Sequence, residues 1–196
     1  MIIVRFADDF VVCFEHRAEA ERFKEELTER LKKFNLELQG EKTRLIEFGR
    51  YATVARERRG EDKPETFNYL GFTHICGKNR KGKFCVLRQT MKKRMRTKLK
   101  TLNIEIKRRM HIPIPEQGKW LRSVLLGHYR YYGVPRNGPA MEAFRKEVVR
   151  LWKCALGRRS QRGKVTWERL DRLTHRWLPY PHIYQPYPAQ RLRVIT

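Results

Sequence analysis

Acidic side chains are scarce in this chain. Only 21 Asp and Glu stand against 45 Lys and Arg in 196 residues, a formal charge of +24 and a pI near 10.4. That imbalance makes a polyanion the default partner. Long apolar runs are missing too. No stretch approaches the ~20 apolar residues of a membrane span, so a membrane is not the expected partner. No secretory leader is expected either, because Met1 leads straight into a β-like run that Arg5 interrupts. Cysteine is sparse: Cys13, Cys76, Cys85 and Cys154 make no C-x-x-C pair. They read as reduced, mostly packed thiols of a cytoplasmic protein. Cys76 and Cys85 are spaced to face each other across a hairpin, without a zinc pattern around them. Aromatic residues are not lacking. Four Trp, eight Tyr and ten Phe are interleaved with the charges, which favours nucleic acid over an anionic lipid surface.

The first fourteen residues hold the sharpest feature. Ile2, Ile3 and Val4 predict one strand and Phe10 to Phe14 its hairpin partner, with Asp8 and Asp9 at the turn. An Asp-Asp pair in a turn often serves only the turn's dihedral angles. Two adjacent carboxylates held on a strand-turn-strand also suit a Mg²⁺ site, because a hard divalent cation takes carboxylate oxygens. In a strongly basic chain the second use points to two-metal phosphoryl chemistry.

Residues 17–35 predict an amphipathic helix with Phe23, Leu27, Leu31 and Phe34 on one stripe. Glu26–Arg30 and Glu29–Lys33 are spaced to support it. This helix is expected to cover one face of the sheet that carries Asp8. Leu36 and Leu38 predict a short strand, Gly40 a turn, and Leu45, Ile46 and Phe48 a further strand. Gly40-x-Lys42-Thr43 is not a phosphate loop, since the second glycine is missing and the string opens a strand. Residues 50–65 read as a mobile loop. Phe67 to Phe72 returns to strand chemistry, with Gly71 either a bulge or a point of close approach by another backbone or a nucleic-acid strand. Thr73–Cys76 and Phe84–Leu87 flank a basic hairpin tip.

Near Gln89 the periodicity changes. Met91, Met95, Leu99, Leu102, Ile106 and Met110 form a helical stripe. Lys92, Lys93, Arg94, Arg96, Lys98, Lys100, Lys107, Arg108 and Arg109 lie between them, with Glu105 the only acid. So lopsided a face suits a row of phosphates. Pro113 and Pro115 end this helix, and Pro115 suits the first turn of the next, which carries Trp120, Leu121, Val124, Leu125, His128 and Arg130. A third helix is marked by Met141, Phe144, Val148, Leu151, Trp152 and Ala155. Arg158, Arg159, Arg162 and Lys164 then occupy a Ser/Gln/Gly loop that reads as a phosphate clamp. Thr166 is placed to cap a short helix with Trp167, Leu170 and Leu173. The tail from Pro179 is extended.

Three segments resemble one family. Phe6-Ala7-Asp8-Asp9 resembles the Tyr/Phe-Ala-Asp-Asp box of reverse transcriptases. Gly127-His-Tyr-Arg-Tyr-Tyr-Gly133 and Gly157-Arg-Arg-Ser-Gln-Arg-Gly-Lys-Val-Thr-Trp167 resemble the maturase domain of the group II intron reverse transcriptases, mobile-element proteins that also assist RNA splicing. The resemblance implies an α+β chain: part of a reverse-transcriptase palm, an antiparallel sheet with a helix, at 1–87, then an all-helical thumb or maturase domain at 89–178, then a tail at 179–196. It implies RNA-directed DNA polymerase (nucleotidyltransferase) chemistry at Mg²⁺, with Asp8 and Asp9 as metal ligands. Lys42 would sit near the nucleotide and assist pyrophosphate departure, though it reads equally as a lysine snorkelling from a sheet edge. Tyr69, Leu70 and Gly71, within a Leu-Gly-Phe segment, would lie beside the primer end. The tyrosines at 129, 131 and 132 suit base stacking or bracing of the helices, and bracing is favoured for most.

The family's fingers, first palm half and remaining metal ligand would precede Met1. Expected partners are therefore group II intron RNA, an RNA/DNA duplex, and either a separate upstream half or a second copy. The location would be a cytoplasmic nucleoprotein, bacterial or organellar. The alternative function is an RNA-binding maturase module that does not polymerise alone. A ribosome-associated basic protein is a third and weaker reading.

Overall fold

The computed structural model describes residues 1–159 and 165–187. The fold is α+β, with two small antiparallel sheets and six helices among the described residues. Two compact units divide between Glu65 and Thr66, ahead of the change of periodicity at Gln89.

The first unit opens with β1 (Ile2–Phe6) and β2 (Asp9–Cys13), joined by a two-residue loop and paired Phe6 to Asp9 through Ile2 to Cys13. It continues with α1 (Arg17–Lys32) and α2 (Ala52–Arg58). Phe23, Leu27 and Leu31 form a half-buried stripe on α1, but the helix ends at Lys32 and leaves Phe34 exposed. The ion pairs on α1 are Arg17–Glu21 and Arg22–Glu26. Helix α1 does not cover the hairpin. Phe14, just past β2, meets Phe23 at 5.2 Å between ring centroids, while Ile2, Ile3, Val4, Phe6 and Phe10 all stay at least 41% exposed. Two strands are too narrow to offer a helix a face.

Two expected strands in this unit are absent. Residues 36–39 and 43–48 are irregular. An alternating apolar pattern names a face but cannot supply a ladder, and the β1–β2 sheet does not extend to them. The segment expected to be a loop contains α2 instead. Its C-terminal end is pinned by Arg59, which reaches Glu47 and Glu61, and by Arg56, which donates to Asp62 O at 2.8 Å.

The second unit holds β3 (Phe67–Tyr69), β4 (Phe72–Lys78) and β5 (Phe84–Thr90) in one antiparallel sheet. The expected strand from Phe67 to Phe72 is broken. Leu70 (φ 48°) and Gly71 (φ 80°) are both left-handed, the pattern of a type I′ hairpin loop. Gly77 pairs with Cys85 and Cys76 with Val86, so the two cysteines point to opposite faces and do not meet. No disulfide forms, and packing is less than expected: Cys13 and Cys154 are exposed, Cys76 and Cys85 half-buried.

Four helices complete the unit: α3 (Lys92–Arg108), α4 (Ile114–Tyr132), α5 (Gly138–Gly157) and α6 (Trp167–Trp177). Pro115 lies in the first turn of α4, and the Thr166 hydroxyl accepts from Arg169 N, as the sequence predicts. Leu102, Ile106, Leu121, Leu125, Tyr129, Met141, Phe144, Val148 and Trp152 form the core. Buried polar groups stitch it together. Gln117 donates to the carbonyls of Met110 and Ile112 at 3.1 and 2.8 Å and accepts from Trp152 Nε1 at 2.9 Å. Asn137 accepts from Thr90 N and donates to Thr90 Oγ1 and Tyr132 O, all within 2.9 Å. That clamp ties the end of β5 to the ends of α4 and α5.

Candidate active site and nucleic-acid interface

Asp8 and Asp9 take different places on the hairpin. The loop residues are Ala7 and Asp8, whereas Asp9 is the first residue of β2, opposite Phe6. Ala7 has φ 53°, giving one left-handed residue at the first loop position, a place that usually calls for glycine. Arg5 Nε donates to Ala7 O at 2.7 Å and holds the turn from the strand side. Both carboxylates are exposed. Strain at a loop residue next to two acidic side chains fits a site where direction matters more than local stability.

The donor set suits a hard cation in part. Mg²⁺ is commonly held by one or two carboxylates, with waters and substrate phosphates filling the octahedron. Asp8 and Asp9 would be those carboxylates. Among the described residues no third acidic, histidine or cysteine side chain joins them. Lys42 does not open a strand. It lies exposed in the turn after Gly40, with its amide bonded to Gln39 O at 3.0 Å.

In the second unit, segments far apart in sequence converge. Tyr131 Oη donates to Leu70 O at 2.8 Å, and Met91 N to Gly71 O at 3.0 Å. A Cβ added at Gly71 would stand 3.0 Å from Arg94 Nη1, 3.2 Å from Tyr132 Oη and 3.6 Å from Tyr131 Cε1. The groups that approach this glycine therefore belong to its own chain. Tyr69 is half-buried beside the turn, 6.5 Å from the His74 ring.

The tyrosines divide their roles. Tyr129 and Tyr132 are buried, and Tyr129 donates to Pro179 O at 3.2 Å. Burial raises both phenol pKa values, against the pull of Arg145 on Tyr129 and of Arg94 on Tyr132. Tyr131 is 51% exposed. Helical phase carries that signal: positions 125, 129 and 132 share a face, and 131 falls off it.

Lys92, Lys93, Arg94, Arg96, Lys98 and Lys100 are all exposed on α3. Among the described residues none of the six joins an ion pair. Glu105 is taken by Arg108 and Arg109 further along. No acid occupies the first turn of α3. Lys98 ends 5.8 Å from the Phe144 centroid, where partial desolvation lowers its ammonium pKa. Arg130 is exposed on α4. Arg158 caps α5 and is exposed, and Arg159 reaches His111 O at 3.4 Å. Arg162 and Lys164 lie outside the described residues. The described helices include none long and apolar enough to cross a membrane.

Comparison with known proteins picks out the first part of the chain and runs past the boundary between the two units. The model of the reverse transcriptase (RNA-dependent DNA polymerase) family matches residues 1–74. That span holds the Asp8–Asp9 hairpin, Lys42 and the Leu70–Gly71 turn, and it makes this part of the chain reverse-transcriptase-like. Helices α3 to α6 lie outside it. No curated protein and no solved structure matches the chain.

Proposed function

We propose that the chain serves RNA-templated DNA synthesis and intron RNA binding, as a reverse transcriptase/maturase of the group II intron class. The observation that carries this reading is the Asp8–Asp9 pair, the last loop residue and the first strand residue of a tight hairpin inside the reverse-transcriptase-like span. The unpaired cations of α3 and the packing of the Tyr-Tyr-Gly segment on the Leu70–Gly71 turn support it. Mg²⁺ at Asp8 and Asp9 would supply charge stabilisation for phosphoryl transfer. The helical unit would hold intron RNA or an RNA/DNA duplex by its phosphates.

A second reading has its own observation. Asp8 and Asp9 lack a third carboxylate among the described residues, so the chain on its own would bind nucleic acid without polymerising. Phosphoryl transfer depends almost wholly on positioning and electrostatics, and an incomplete cage loses both.

The experiment is Mg²⁺-dependent extension of a DNA primer on an RNA template by purified chain, alone and with a fingers-and-palm half from a reverse transcriptase of this class, with Asp8→Ala as control. Binding is measured in parallel. Binding without extension by the chain alone, and extension with the added half that Asp8→Ala abolishes, is the expected pattern. Extension by the chain alone, lost in Asp8→Ala, would sink the second reading. Absence of binding at ~50 mM salt would overturn both. With ~6–10 phosphate contacts, affinity should drop roughly 10³–10⁵-fold between ~50 and ~200 mM salt. Changing Arg158, Arg159 and Arg162 together to Ala should flatten that slope.

A further inference from the structure

Tyr131 is an exposed aromatic side chain that is nevertheless fixed. Its hydroxyl is spent on Leu70 O at 2.8 Å. One side of the ring lies nearly parallel to Phe72, 6.0 Å between centroids and 10° between planes, and Tyr132 meets it edge-on at 4.8 Å. Half of the residue still faces solvent. An ordinary surface tyrosine keeps its rotamers free and its hydroxyl in water. This one has its hydroxyl bonded to the turn and its ring braced by two neighbours, so much of the entropy of ordering it is already lost in folding.

Both carbonyls of the turn beneath already accept a hydrogen bond. Leu70 O is taken by Tyr131 and Gly71 O by Met91 N. What projects there is the ring, with Arg94 beside it. The Arg94 guanidinium comes within 3.0 Å of the Cβ position over Gly71, and its charge works on the neighbouring Tyr132 phenol against the rise that burial causes. Arg94 is also one of the six cations of α3, from Lys92 to Lys100, that join no ion pair among the described residues. An immobilised π-face beside a cationic row is the arrangement that takes one base while the row takes phosphates.

We propose that Tyr131 is a preformed platform on which one nucleobase of a bound strand stacks, with Arg94 against the adjoining phosphate. The proposal rests on the nucleic-acid-binding reading above and adds to it a fixed position along the strand. Because every base has a π-face, the platform sets register and not sequence.

The test uses the full chain and an RNA template annealed to a DNA primer. The fluorescent base 2-aminopurine is placed at successive primer positions near the 3′ end. The wild-type chain should quench it at one position and not at its neighbours. Tyr131→Ala should lose that quench and weaken binding by roughly 5- to 150-fold, the worth of one base–aromatic stack. The log–log salt slope should not change, because no charge is removed. Tyr131→Trp should keep the positional quench. Tyr131→Phe, which keeps the ring but frees it from Leu70, should bind between wild type and Tyr131→Ala. Thermal melts establish that each variant folds. Should Tyr131→Ala fail to fold, the Trp and Phe variants decide the matter. Wild-type binding with no position-specific quench, or Tyr131→Ala binding equal to wild type, overturns the platform and leaves the nucleic-acid reading intact. No wild-type binding at ~50 mM salt overturns both.

Discussion

Gln117, Asn137 and His128 are buried to nearly the same degree, yet they differ in how their polar atoms are satisfied. Gln117 and Asn137 each make three hydrogen bonds. Neither His128 ring nitrogen has a partner among the described residues. Its ring instead stacks on Phe144, 3.8 Å between centroids and 17° between planes. Burial, with Lys98 adding repulsion, pushes its pKa down to about 3, against ~6.5 in an unfolded chain. Between those values the unfolded chain holds a proton that the folded chain refuses. Stability should therefore fall as pH drops below ~6.5, by at most about 1.4 kcal/mol per pH unit, and be insensitive to this group above it. Urea midpoints at pH 7 and pH 5 check the sign. His128→Phe should shrink the difference between them and leave the pH 7 midpoint level or higher. An unchanged difference would assign the acid sensitivity elsewhere. Asn137→Ala would act differently, leaving the buried Thr90 N–H unsatisfied at a cost of about 1–3 kcal/mol at any pH.

Helix α3 is built against its own dipole. Lys92, Lys93, Arg94 and Arg96 crowd the end where the macrodipole favours anions, and no acid offsets them. That same end would welcome a phosphate. Lys92→Glu with Lys93→Glu should therefore stabilise the chain by about 1–2 kcal/mol, read from the denaturant midpoint, while weakening RNA binding at least tenfold. A loss of both stability and binding would mean that the two lysines make structural contacts instead.

Elements were legible in the sequence where one side chain pattern sufficed to define them. The stripes on α3 and α5 predicted Leu102, Ile106, Met141, Phe144, Val148 and Trp152 as core, because a helix closes its hydrogen bonds within itself. Leu36, Leu38, Leu45, Ile46 and Phe48 misled, because a strand needs an edge to pair with and the residues cannot announce one. Helix α2 was hidden by its charges, since Arg56 and Arg59 anchor it through ion pairs and backbone carbonyls more than through an apolar face. The type I′ loop was hidden by Leu70, a residue that seldom takes a left-handed conformation. At the candidate site, the carboxylate hairpin was visible as composition. The meeting of Tyr131, Arg94 and Gly71 depends on tertiary packing and was not.

Taken as a whole, the molecule has an uneven interior. Among the described residues the buried apolar side chains of the first unit are Ala20 and Ala52, while the rest of the core belongs to the second. A two-stranded sheet is marginal in water without a third strand or a covering helix. Residues 66–196 expressed alone should keep a cooperative thermal transition, and residues 1–65 alone should not. Circular dichroism melts of the two pieces decide this. A cooperative melt of 1–65 would show that its ion pairs and half-buried stripe suffice.

Asp8 and Asp9 are thus held only as firmly as β1 and β2 stay paired. In hydrogen-exchange terms, the ladder amides of β1 and β2 should trade protons by local openings of little free energy, far faster than those of α4 and α5. A ligand that needs both carboxylates in place must first close that equilibrium. Part of its intrinsic affinity is then spent on ordering, and its arrival would register as slowed exchange in the hairpin.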